Sequence, residues 1–433
     1  MIHNNLKKLI KSILYPNRIE IFAIIVLLAL IITPITVNMY SKMDAKARQV
    51  NLYFSPYAEK LFGSNLMEEL IREFEEKNPE IKIQPAVLTA DTESLPGAKK
   101  AGEISGVDIL FFDDDDFDIF AAAGFLTELS SFTNYDSGTL QLAIPLASFM
   151  DMLFYNINIL NAAGFDSPPR SRDEFLAYAR AVSRGNFGAY GAALSLYPND
   201  RQALTRDVLA WIWASGGNFW PEEEGPVLNA RAVINDINFL GTLNREGLLA
   251  PDVFNTAGDQ RIEQFARGEI ALMIASTRII PYLRQRMGDE AFGITVIPGS
   301  GMGGKYSINI SAVYAGINAN SDHPDEAWKF LEFLADKSLL LCAELKAVPG
   351  MISNIIPGDY VRDDPFYSKA WDIFESALIA ENFSGKPGAG QYERIFMEEI
   401  EILFKTSRTA QDTVLAIQRR WDRIKMELSA ELP

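Results

Sequence analysis

The stretch from Met152 to Phe175, MLFYNINILNAAGFDSPPRSRDEF, constrains the fold more tightly than any other part of the 433-residue chain. Met152 to Tyr155 is a short apolar and aromatic run of strand type, and Ile157 to Ala163 has the spacing of a short amphipathic helix stopped by Gly164. Pro168 and Pro169 forbid that helix from continuing. Ser171 and Glu174 then stand at the S-x-x-E spacing of a capping box, in which each side chain satisfies the other's orphan backbone donor. A second helix therefore starts at Ser171, and a strand, a helix, a turn and a helix follow one another in two dozen residues.

The same alternation runs through the preceding hundred residues. A strand from Val50 to Phe54 leads through Ser55-Pro56 to a helix whose expected N-cap is Asn65, with Glu68 three residues on. Its apolar residues Leu66, Leu70, Ile71 and Phe74 share one face, and Asn78-Pro79 ends it. Ile81, Ile83 and Val87 alternate as a second strand. Val107 to Phe112 reads as a third, followed by a helix that ends at Gly124. Strands alternating with helices predict parallel sheets with helices on both faces, an α/β lobe. With 48% hydrophobic and 22% charged residues the composition is ordinary for a globular protein, and the length calls for two domains.

The N-terminus is different in kind. Ile21 to Met39 is broken only by Thr33, Pro34, Thr36 and Asn38, and nineteen helical residues at ~1.5 Å each span about the ~30 Å hydrocarbon layer. Lys7, Lys8, Lys11 and Arg18 precede it, so residues 1–20 read as a cytoplasmic stub, 21–39 as the spanning segment, and everything after Tyr40 as exported. Two readings fit: an uncleaved anchor, or a secretory signal cut at Ala45-Lys46-Ala47. A lipoprotein route needs a cysteine just after the apolar run, and the sole cysteine is Cys342, which stands in an apolar run of its own and reads as a buried structural thiol. Seven basic and two acidic residues precede Gln49, leaving 33 basic and 55 acidic residues after it, a net of −22. Such a surface excludes nucleic acid as a partner.

Gly299 to Lys305, GSGMGGK, satisfies both G-x-G-x-x-G and G-x-x-x-x-G-K. Both motifs need a helix to follow at once. Here Tyr306, Ile308 and Ile310 alternate with polar residues as a strand, and Tyr306 replaces the Ser or Thr that reaches magnesium, so no phosphate or nucleotide cofactor is expected. An EF-hand counted from Asp114 puts Ile119 where glycine is needed and Phe125 where glutamate is needed, so no metal is expected either.

The order YN, AAGF, PP and a capped DEF resembles the hinge-crossing segment of family 1 extracellular solute-binding proteins, the maltodextrin-binding-protein-like receptors of sugar-type ABC importers. Phe111 to Leu129, FFDDDDFDIFAAAGFLTEL, is similar to the family's second cleft loop, where Asp113 and Asp115 would meet the ligand beyond a strand end. The bland reading of those aspartates is a solvated helix start favoured by the helix dipole. Gly188 to Gly217 resembles the second lobe's strand, loop and long helix, on which Arg206 and Trp213 are the candidate contacts, with one of Trp211 and Trp213 expected in the core. Trp220 falls on the loop beyond. Phe265 to Leu283, FARGEIALMIASTRIIPYL, carries F-x-x-G-x-x-A-M, with Arg278 at a turn where relatives often have Trp; a surface ion pair is the rival role for that arginine. Ala315 to Asn320 and the helix begun by Pro324 resemble the return into the first lobe. Tyr57, Tyr306 and Tyr392 complete the contacts that the resemblance implies.

The resemblance implies a type II, two-lobed periplasmic-binding-protein-like α/β fold. Lobe 1 comprises 49–152 plus 316–368 and lobe 2 comprises 153–312 plus 369–433, with crossovers near 151–156, 311–316 and 365–372. A monomer would capture a saccharide-like solute between the lobes and deliver it to ABC permease subunits at the outer face of the membrane, held there by the N-terminal helix or released by cleavage. Two other readings stand beside it: a membrane-tethered sugar sensor without transport, and a polysaccharide-acting enzyme using carboxylates in the same cleft, since only two histidines occur and neither G-x-S-x-G nor H-E-x-x-H does.

Overall fold

The computed structural model describes residues 49–55, 64–86, 106–132, 142–200, 203–216, 227–228, 231–300, 306–348, 359–380, 383 and 388–431. The expected spanning segment 21–39, Tyr57, Trp220 and most of the glycine-rich run lie outside these residues. Among the described residues no helix is long and apolar enough to cross a membrane.

The first half opens with β1 (Val50–Phe54), α1 (Ser64–Lys77), β2 (Ile81–Pro85), β3 (Ile109–Asp113) and α2 (Asp114–Ala122). Strands β1, β2 and β3 pair in parallel, as alternating strands and helices require. Asn65 does not cap α1: it lies inside a helix already formed at Ser64. Gly124 closes the turn after α2 at φ +66°, a conformation that favours glycine.

The chain then enters β4 (Ile144–Asn156), the longest of the described strands and buried at nearly every position. It is followed by α3 (Ile157–Ala162) and α4 (Arg172–Arg184), where the sequence places them. Asn156 caps α3 by accepting from the Ile159 amide at 3.1 Å, and Ser171 Oγ accepts from the Glu174 amide at 3.2 Å. The return half of the expected capping box differs: Glu174 accepts from the Arg170 amide, at 2.7 Å, one residue earlier than the motif requires.

Next come β5 (Tyr190–Ala193), a single π-helical segment at Thr205–Leu209 continuing into α5 (Ala210–Ala214), α6 (Arg231–Arg245), α7 (Gly258–Ala266), β6 (Ile270–Ser276) and a 3-10 turn at Thr277–Ile279. After α8 (Ile280–Met287) follow β7 (Phe292–Thr295), β8 (Ser307–Ile308), β9 (Ile310–Ile317), α9 (Pro324–Asp336), α10 (Ser338–Leu345), α11 (Asp359–Asp363), α12 (Pro365–Ser376) and β10 (Leu378–Ile379). The last helices are α13 (Ala389–Lys405) and α14 (Ala410–Glu431).

Eight of the described strands form one sheet in the order β2-β1-β3-β9-β4-β6-β5, with β7 also paired to β4, while β8 and β10 pair in parallel as a separate two-stranded sheet. The flanks of the larger sheet are parallel, but β9 runs antiparallel to β3 and β4, and β4 runs antiparallel to β6 and β7, so that sheet is mixed rather than purely parallel. Strand β4 changes partners along its length. Ile144–Met150 pairs with β9, whereas Asp151–Asn156 pairs with β6 and β7. A register shift between Pro145 and Ala147 marks a bulge, since proline supplies no ladder donor.

Apolar clusters cover both faces on each side of this exchange. On the first side one cluster joins Leu52, Phe54, Leu70, Phe74 and Ile81 to Phe330 and Leu334 of α9, and the other joins Phe112, Phe117, Phe120 and Tyr314. Cys342 belongs to the former; burial pushes its thiol up to about 12, as suits a structural cysteine. On the second side one cluster is built on α4, α5, α6, α13 and α14, and the other on β6, β7, α8 and α12. The crossover expected near 365–372 falls within one helix, Pro365–Ser376, capped by Asp364 accepting from the Phe366 amide at 2.9 Å, and Phe366, Tyr367 and Trp371 pack with β7.

Candidate functional site

Where β4 exchanges partners, a cavity of about 220 Å³ opens between the two halves of the sheet. Its first wall is Asp113 and Asp114, at the carboxyl end of β3 and the start of α2, together with Ser311 of β9. The second is supplied by the ends of β5 and β6, the π-helical segment and α7. Strand ends facing each other across a crevice are the usual place for a ligand in open α/β sheets.

Asp114 points into its own half. It accepts from the Ala312 amide at 2.6 Å and from Tyr314 Oη at 3.0 Å, which ties α2 to β9. Asp113 is the N-cap residue of α2 and lies on the cavity wall, and Asp115 stands in the first turn of that helix. The opposite wall carries Arg206 and Asp207, two charges inside the otherwise apolar run ALTRDVLAWIWA. The π turn that carries them is of a kind found frequently at functional sites.

Arg206 Nε donates to Asp207 Oδ2 at 2.8 Å and Nη2 donates to Asp200 Oδ2 at 2.9 Å. Desolvation alone would lower the pKa of Arg206, but the carboxylates of Asp207 and Asp200 outweigh it and hold the guanidinium charged. Asp207 is fully buried, and desolvation pushes its carboxyl up to about 7 against the pull of Arg206. Gly258 makes room for this clasp. A Cβ there would lie 2.8 Å from Asp200 Oδ2 and 3.0 Å from Arg206 Nη2.

Arg261, on the buried face of α7 one turn before Phe265, donates from Nε to Leu194 O at 3.1 Å and from Nη1 to Gln264 Oε1 at 2.8 Å, with Nη2 on Pro251 O. Arg278 sits in the short turn after β6, whose first amides Ser276 caps. Its guanidinium carbon lies 4.3 Å from the centroid of the Phe149 ring on β4. Behind the cavity, Asp151 on β4 accepts from Asn309 Nδ2 at 2.7 Å, and burial raises its pKa.

The cavity thus gathers Asp113, Arg206 and Arg278 from the residues singled out in the sequence. Trp213, Tyr306 and Tyr392 are not on its wall. Trp213 is buried beside Trp211 in the α4–α5–α6 cluster, so both indoles are core residues. Tyr392 is buried with its ring stacked on Phe383 and edge-on to Trp421, whose Nε1 donates to Tyr392 O at 3.0 Å. Tyr306 shares a hydrogen bond with Ser376 at 2.7 Å and packs against the β6–β7 cluster. Sequence reasoning missed Asp207, Arg261, Ser195 and Ser311. For Asp207 the signal was present, an Arg-Asp pair interrupting an apolar helix.

The first glycine of the glycine-rich run also finds its explanation. A Cβ on Gly299 would fall 2.1 Å from Ala214 O, and the Ser300 amide donates to Ser215 Oγ at 3.0 Å, so the first glycine permits close approach to the end of α5.

Two halves of a mixed α/β sheet, exchanged through shared strands and enclosing a polar cavity at the exchange, define a ligand-capturing protein of the two-lobed periplasmic-binding type. The chain belongs to the bacterial extracellular solute-binding protein family, whose profile matches residues 61–338. A protein of Brucella abortus (strain 2308) named as a binding protein is 25% identical over 202 residues, 45% of this chain and 46% of its own length. The chain therefore spans about half the length of the curated relatives it matches. Among solved structures, the cyclic alpha-maltosyl-1,6-maltose binding protein of Arthrobacter globiformis superposes with a TM-score of 0.69 at 16% identity, covering 87% of this chain and 99% of that one. Maltose-bound MalE3 of T. maritima gives 0.66 at 17% identity over 87% and 100%. UgpB of Mycobacterium tuberculosis in complex with glycerophosphocholine gives 0.67 at 19% over 88% and 99%.

Proposed function

We propose that the protein is the solute receptor of an ABC importer for a carbohydrate-like solute, which it holds between its lobes without transforming it and hands to permease subunits. The observation that carries this reading is the cavity itself, walled from one side by Asp113, Asp114 and Ser311 and from the other by Ser195, Arg206 and Arg278. Solved relatives of the same fold hold maltose and glycerophosphocholine, which supports a small polar solute here. Asp113, Arg206 and Arg278 are the proposed contacts, and Tyr57 and Asp115 remain candidates.

Lobe 1 is proposed as 49–152 with 316 to about 348, and lobe 2 as 153–312 with 359–433, the segment 359–368 being reassigned because its helices pack on β7. The receptor acts as a monomer on the outer face of the membrane, with 21–39 as its anchor or signal. A solute touching both walls favours the closed arrangement of the lobes. The test is a thermal-shift screen over mono- and oligosaccharides, sugar acids and polyols, followed by small-angle scattering with each hit. A hit raises the melting temperature, because it binds the native state, and shrinks the particle. A library without a hit, or product release from an oligosaccharide, sinks the receptor reading.

A further inference from the structure

Three guanidinium groups line the cavity, and two of them are already engaged. Arg206 spends its donors on Asp207 and Asp200, and Arg261 spends its own on two backbone carbonyls and Gln264. Arg278 differs. Among the described residues no carboxylate or carbonyl accepts from its guanidinium, although the chain beyond residue 48 carries 55 acidic residues. It is exposed on the cavity wall, yet it is held on two sides, with its backbone amide donating to Ser276 Oγ at 3.3 Å and its guanidinium carbon over the Phe149 ring, 4.3 Å from the centroid.

Stacking on an aromatic ring occupies the face of a guanidinium and leaves the N–H donors around its edge in plane. Those donors form the fork that matches a carboxylate or phosphate with two parallel bonds. Phe149 belongs to the part of β4 that pairs with the first half of the sheet, whereas Arg278 follows β6 in the second, so the stack sits at the junction of the two walls. We infer that the solute carries an anionic group, a carboxylate or phosphate on a sugar framework, and that Arg278, held by Phe149, is the residue that selects it.

The acidic surface does not oppose this, because at ~0.1 M salt exposed charges are screened beyond about 10 Å and the pairing acts at contact distance. The opposite wall, Asp113 and Ser311, supplies acceptor and hydroxyl groups for the sugar's own hydroxyls. The inference rests on the receptor reading and narrows its solute class.

Calorimetric titration of the full chain in mild detergent tests it with matched probes: glucose against glucuronate and glucose 6-phosphate, galactose against galacturonate, and the corresponding disaccharides. At least one acidic sugar is expected to bind about 10- to 100-fold tighter than its neutral counterpart, the range a charge-assisted bond supplies. The carboxylate and phosphate arms tell the two anions apart. Arg278→Gln is expected to erase that preference while leaving the melting temperature of the unliganded protein in place, and Arg278→Lys to restore part of it. Neutral sugars binding as tightly as acidic ones, or a preference surviving in Arg278→Gln, overturns the inference and leaves the receptor reading standing. Silence from both series overturns both.

Discussion

Asp207 carries the strongest conflict between burial and charge in the cavity wall. Its carboxyl is raised from 3.8 to about 7, so the folded protein keeps a proton that the unfolded chain releases between those values. Protons bound preferentially by the folded state make stability fall as pH rises, so this group's contribution is full below about 3.8 and is lost by about 7. Asp207→Asn removes the slope. The melting temperature of the variant relative to the parent is therefore expected to climb from pH 5 to pH 8, and a constant gap across that range would show that Asp207 does not titrate there. At this scale the sequence was legible only in part. Arg206 and Arg278 both line the cavity, Arg206 put forward by the family resemblance and Arg278 as an arginine that follows a strand end. Trp213 and Tyr392, which the resemblance put forward, are buried away from the cavity wall, since helical spacing tells which residues share a face, but not whether that face meets a neighbouring helix or the cleft.

At the scale of elements, one buried ion pair locks three helices and a loop together. Arg172, at the start of α4, pairs with Asp236 of α6, donates to Trp211 O and to Ser215 Oγ at 2.8 Å, and reaches Pro298 O at 3.3 Å. Its side chain is 8% exposed and that of Asp236 is fully buried. Desolvation lowers the Arg172 pKa and raises that of Asp236, each opposed by the other's charge. Asp236→Ala leaves a buried guanidinium uncompensated and is expected to cost about 3–5 kcal/mol in urea unfolding. The double variant Arg172→Met with Asp236→Leu should recover most of that loss. A loss under about 1 kcal/mol in the single variant would mean that water reaches the site. Nothing in Arg172 as a letter announces this role, since its partners lie 39 to 126 residues away. Local elements were legible for the complementary reason. The strand Val50–Phe54, the stop at Gly164, the Ser171 cap and Pro324 at the start of α9 are set by neighbours in sequence. The full length of β4 was not, because Pro145 and Asp151 break the apolar pattern of a strand whose burial comes from distant partners.

For the whole molecule, the two-lobed α/β class was legible from the alternation of strands and helices and from the family resemblance, whereas the mixed pairing at the centre of the sheet was not, since pairing direction leaves no mark on composition. Strand β4 belongs to both halves, with Leu146, Ala147, Met150, Leu153 and Phe154 fully buried. Its amides are expected to open only with global unfolding, so hydrogen exchange should find its slowest exchange among residues 147–154. Faster exchange there than in β1 would argue that the halves separate without unfolding.

The shared strand also fixes an order of events during synthesis. Strand β9 lies between β3 and β4, yet about 150 residues separate the end of β4 from its start; at ~5–20 residues per second a ribosome needs roughly 8–30 s to supply them. Through that interval β3 and β4 each present an unpaired edge that invites association with other nascent chains. A holdase or the export machinery that engages the chain early would have its greatest effect on yield in this window.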